Sequence, residues 1–217
     1  MTGAAPFSIV AALTKHEMGT IRAAAEQLAQ CMSGAAGESL RVRVHSIERD
    51  AAAIPAGNLF LASLAQDVQS DEGLESVEKA WRARLARVGD AGIDRVVLCT
   101  LFRCVAQGPH REKTLERIRR LNQLVVTLSR DLDCEVADVD RLLALCGGRL
   151  IGADYRCLGQ RAGRLAGQAI TAAILDGEMY GYLEPEAQQR AIALHGGVRN
   201  MREIMTRHAV EGRLDDL

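Results

Sequence analysis

The side chains of this sequence suited to chemistry fall in four places, each at or just after an apolar run: Thr14, Lys15 and His16; Gln66 and Asp67; Thr100 and Arg103; and Asp154 with Cys157. A hydroxyl or amine becomes a useful nucleophile only when a neighbouring base takes its proton, and His16 is the histidine best placed to do so near neutral pH. Gln66 offers an amide N–H of the kind that stabilises a developing oxyanion. Asp154 precedes Cys157 by three residues in a glycine-flanked loop before a helix, where the helix amino terminus can tune a thiol toward thiolate. A plainer reading stands beside each of these. Thr14 to His16 also suit a solvated strand-to-helix turn, Asp67 and Asp154 also suit helix caps, and Cys157 also suits a small packed residue.

Six cysteines and five histidines invite a metal hypothesis, but no CxxC pair occurs and the spacings match no compact ligand set. We expect neither metal nor cofactor: GxGxxG, P-loop and HExxH motifs are missing as well. With 27 Lys and Arg against 28 Asp and Glu, the formal net charge is -1. Electrostatic capture of nucleic acid or of an anionic membrane is therefore not expected. Hydrophobic residues make up 48% of the chain and aromatics 3%, so the core must be built from Leu, Val, Ile and Ala. No apolar stretch reaches bilayer-spanning length. The short, uncharged opening does not look like a signal peptide, and the cysteines sit in apolar runs as reduced thiols do, so the expected location is cytoplasmic.

The elements that must position these residues alternate along the chain. Apolar runs at 7–13, 58–64 and 95–102 read as buried strands, and 134–139 reads as a fifth, short one. Residues 40–47 alternate apolar and polar, as an edge strand with one wet face does. Helices are expected from Thr20 to about Met32, from Ser70 or Asp71 to Gly89, over 112–131 and over 157–175. This order favours a doubly wound α/β sheet whose ligands bind beyond the carboxyl ends of the strands.

Three segments carry a family resemblance: VVLCTLFR at 96–103, ERIRRLNQLVVTLSRDLDCEVADVDRLLA at 116–144, and GADYRCLGQRAG at 152–163. They resemble the later blocks of the SGNH/GDSL hydrolases, and the layout is similar over residues 7–175. The resemblance implies a flavodoxin-like three-layer sandwich with a five-stranded parallel sheet in the order 2-1-3-4-5. It also implies hydrolysis of acyl or acetyl esters by a serine after the first strand, helped by an Asp-x-x-His pair. Here the first block falls on Leu13, Thr14 and Lys15, with no serine. The Gly-x-Asn-Asp block falls on Leu64, Ala65, Gln66 and Asp67, and the last block keeps Asp154 but has Cys157 where histidine belongs. A cysteine does not relay protons as imidazole does.

The sequence reading is thus an SGNH-like α/β domain at 1–177 with a helical C-terminal extension at 178–217. It acts on or binds an acyl, acetyl or other small polar ligand at the strand ends, with the standard triad expected to be absent. The alternative is a non-catalytic binding or assembly protein on the same scaffold. In the extension, Pro185 opens a helix that the glycines at 196–197 end. An apolar stripe over 198–208 is expected to pack on the domain or to form a homodimer.

Overall fold

The computed structural model describes residues 5–48, 51–177, 179 and 181–196. Five parallel strands form one sheet in the order β2-β1-β3-β4-β5: β1 Phe7–Ala12, β2 Val42–Ser46, β3 Leu59–Ser63, β4 Val96–Cys99 and β5 Glu135–Ala137. This is the expected flavodoxin-like order, with the half-wet 40–47 segment supplying an edge strand. Alternate strand residues serve opposite faces. Ile9, Ala11, Leu59, Leu61, Val97 and Cys99 join one core, while Val10, Ala12, Phe60, Ala62 and Leu98 join the other. The first core is closed by α1 (Met18–Ala36) and α5 (Gln160–Gly177), the second by α2 (Leu74–Asp90) and α3 (Arg111–Leu132).

The helix pair α1 and α5 packs closely enough to need glycine. A Cβ on Gly167 would stand 2.9 Å from the Ala24 backbone nitrogen and 3.1 Å from the Thr20 carbonyl oxygen. One turn along, the buried Thr171 hydroxyl donates to the Ala24 carbonyl at 3.2 Å. A sixth helix, Pro185–His195, packs against α1 and α5: its Arg190 donates to the Ala35 carbonyl at 3.0 Å and its Gln188 to the Leu175 carbonyl at 2.8 Å. In chain order it is α6, because a seven-residue α4 at Val139–Leu145 follows β5.

Several expected boundaries move, each for a local reason. Helix α1 runs through Gly34 and ends only where Gly37 turns left-handed (φ 72°) and donates its N–H to the Ser33 carbonyl; a Cβ on Gly34 would stand 3.0 Å from the Leu194 side chain of α6. Helix α2 begins at Leu74, since the Ser70 hydroxyl accepts the Glu72 N–H in a preceding turn. Helix α5 begins at Gln160 and not at Cys157, since Cys157 (φ 52°) and Gly159 (φ 89°) are left-handed and cannot start a right-handed helix. Segment 138–145 is helical because the Asp138 carboxylate accepts the Arg141 N–H and caps it. The stripe over 198–208 lies outside the described residues. No described helix is long and apolar enough to cross a membrane.

Candidate functional site

In this strand order the connections leave β1 and β3 in opposite senses, so the crevice between their carboxyl ends is where such folds bind ligands. Thr14 follows β1 by two residues, and Lys15–Glu17 forms a tight 3₁₀ turn leading into α1. Glu17 turns inward. Its Oε2 accepts the Thr14 backbone N–H at 2.9 Å and the Thr14 hydroxyl at 2.8 Å, closing the turn as the acid of a capping box does. The Ser63 hydroxyl, at the end of β3, donates to the same carboxylate. Ser63 is paired in register with Cys99 at the end of β4. Cys99 and Cys157 are both close enough to Glu17 for its charge to push their thiols up.

Thr14, Glu17, Ser63 and Cys99, with Cys157 from the 152–159 loop, therefore form one polar cluster across the ends of three strands. It is sealed. Glu17 is 8% exposed, Ser63 1%, Cys99 4% and Cys157 7%. Burial raises the Glu17 carboxyl above its ordinary value and outweighs the hydrogen bonds from Ser63 and Thr14 that pull it down. Burial likewise lifts Cys99 well above an ordinary thiol and Cys157 to about 12. The field of a helix terminus would have to act in the other direction. It fades within a turn, and α5 begins three residues beyond Cys157.

The other sequence candidates are placed as follows. Lys15 and His16 are exposed on the outer side of the turn, with His16 near enough to Glu17 to favour its charged form. No imidazole hydrogen-bonds to the cluster among the described residues. Asp154 is turned to Arg156: Oδ1 accepts the Arg156 N–H at 2.9 Å, while Oδ2 accepts from Nε at 2.8 Å and from Nη2. Asp67 is fully buried and accepts the Trp81 indole N–H at 2.8 Å, which ties the end of β3 to α2. Gln66, beside it, carries a buried side-chain nitrogen with no partner. The Thr100 hydroxyl donates to Asp138 and accepts the Asp140 N–H, both at 3.0 Å, joining β4 to the start of α4. Arg103 forks onto Asp140, with its backbone N–H at 2.8 Å from Oδ1 and its Nε at 2.6 Å from Oδ2. The candidates thus divide between the β1–β3 crevice and the β4–β5 side. Among the described residues no three His, Cys, Asp or Glu side chains are grouped to hold a metal ion.

Glu17 and Ser63 were not among the sequence candidates. The Thr-x-x-Glu spacing at 14–17 was the available signal for the first. For the second it was the one polar residue closing the apolar run LFLAS.

Comparison with solved structures places this geometry on a known scaffold. The fold is similar to that of the acetyl xylan esterase AlAXEase, at a TM-score of 0.54 and 12% identity over 77% of this chain and 100% of that one. It is also similar to a variant of Axe2, an acetyl-xylooligosaccharide esterase from Geobacillus stearothermophilus, at a TM-score of 0.58 and 10% identity over 80% and 96%. Axe2 itself, an acetylxylan esterase, matches at 0.55 and 10% over 84% and 98%. At such identities the likeness is one of fold: the chain has the SGNH/flavodoxin-like arrangement. No family model and no curated protein matches the sequence.

Proposed function

We propose that this chain uses an SGNH-like scaffold to bind a small polar ligand at the carboxyl edge of its sheet, without hydrolysing esters through a Ser-His-Asp relay. The observation that carries this reading is the sealed cluster at the β1–β3 crevice. A carboxyl held above its ordinary value, two hydroxyls committed to it and two thiols raised by burial fill the place where a nucleophile and its base would act. A hydroxyl that donates to a buried carboxyl, with no imidazole between them, lacks the partner that both takes its proton and later returns it to the leaving group. The Asp154 carboxylate is engaged with Arg156, and Asp154 holds residue 157 only through its backbone carbonyl, which accepts the Cys157 N–H at 3.0 Å. Hydrolysis of p-nitrophenyl acetate by the purified chain should match the buffer rate. Turnover well above it, lost in Ser63→Ala, would refute the reading.

A second reading has one specific support. A buried carboxyl raised toward neutrality beside a serine hydroxyl is also what a rebuilt general base looks like. It requires turnover with a pH profile governed by Glu17 and abolished in Glu17→Gln.

A further inference from the structure

On the β4–β5 side of the same edge lies a cavity of about 500 Å³, a volume suited to a small molecule. Four arginines line it, Arg103, Arg111, Arg119 and Arg149, against two carboxylates, Asp140 and Glu112. The chain as a whole is nearly neutral, so this local excess of positive charge is not a reflection of bulk composition. The two carboxylates offset only part of it. Asp140 is buried and both its oxygens are taken by Arg103, whose backbone N–H and Nε are the donors used. Glu112 is 77% exposed and meets Arg111 through Nη1 alone, in a solvent-screened pair. The Nε of Arg111 is buried with no partner, so a donor already removed from water is left over in the wall. Arg119 meets Glu116 at 3.5 Å on the open face of the helix.

The backbone adds to this charge. Arg111 and Glu112 open α3, a helix of 22 residues whose amino end no side chain caps. Its first N–H groups and its dipole favour negative charge there. Guanidinium forks, an orphaned donor and an open helix start match a ligand with several acceptor oxygens on one centre, which a phosphate has and a single carboxylate does not.

We infer that this pocket binds the phosphate or diphosphate group of a small molecule. The inference rests on the reading that the carboxyl edge is the ligand face, and it gives that ligand a chemical class. Titration calorimetry with pyrophosphate, at ionic strength held constant with chloride, tests it on the intact chain. Saturable binding in or below roughly the millimolar range is expected. The double substitution Arg111→Gln with Arg149→Gln should weaken it by about tenfold or more, with the thermal melt unchanged. Arg103→Lys, which loses the planar fork, should weaken it too. Absence of saturable pyrophosphate binding, or binding indifferent to these substitutions, would overturn the inference. So would binding to a single-stranded oligonucleotide or to anionic vesicles without binding of pyrophosphate. The ester assay is independent of this outcome: turnover there would refute the non-hydrolytic reading and leave the anion titration to be judged by itself.

Discussion

At the scale of single residues, the cluster at the β1–β3 crevice behaves as an interior and not as an open site, and its thiol and carboxyl make that measurable. Cys157, buried and raised to about 12, should resist iodoacetamide in the native protein at pH 8 while the half-exposed Cys104 reacts. Rapid native labelling of Cys157 below pH 7, read by peptide mass spectrometry, would contradict the sealed geometry. Glu17 gives a second test. Its folded carboxyl is raised above the unfolded value, so its protonated form is favoured by folding. Its contribution to stability is then full below the ordinary carboxylate range and is lost as pH rises through the raised folded value. Glu17→Gln keeps the oxygen that accepts from Thr14 and removes the charge. Its stability advantage over the parent should grow as pH rises from the ordinary carboxylate range toward neutrality. Glu17→Ala should cost about 1–2 kcal/mol in urea melts, by the loss of the cap. An advantage for Glu17→Gln that is flat with pH would argue against a raised carboxyl.

Elements were legible where their pattern was long or one-sided. The uninterrupted runs around β1, β3 and β4 announced strands covered on both faces, and the alternation at 40–47 announced an edge. Helix α4 was hidden because seven residues give fewer than two full turns of periodicity, and its apolar residues continue those of β5. The starts of α2 and α5 were hidden because a side chain accepting a backbone N–H in one case, and left-handed backbone in the other, decide them locally. The inward turn of Glu17 was hidden for a related reason: charged residues in a polar loop read as solvated until tertiary contacts bury them. Two element contacts predict large effects. Gly167→Ala places a methyl 2.9 Å from the α1 backbone and should destabilise by about 1–3 kcal/mol, since neither helix can yield without disturbing the core. Asn122 on α3 both donates to the Leu101 carbonyl at 2.8 Å and accepts the Leu101 N–H at 2.7 Å, pinning the chain just beyond β4. Asn122→Ala should cost about 2 kcal/mol by leaving both groups unpaired. A change below 0.5 kcal/mol, less than one ordinary hydrogen bond, would show that the clamp is dispensable.

For the whole molecule, one scaffold carries two regions of opposite character along the same edge. The crevice between β1 and β3 is filled by the protein's own side chains, whereas the β4–β5 side holds an arginine-lined cavity. The sheet order was readable from hydrophobic patterning and resemblance together. The division of the edge was not, because it depends on which way Glu17, Asp154 and Arg103 turn, and residue type does not fix that. The claim that joins these observations is that no nucleophile at the strand ends is activated. Incubation with an excess of a fluorophosphonate, followed by intact-mass spectrometry, measures this directly, because such reagents phosphonylate only hydroxyls or thiols whose proton is being drawn away. The account predicts an unmodified mass after prolonged exposure. A stoichiometric adduct on Ser63, Thr14 or Cys157 would contradict it.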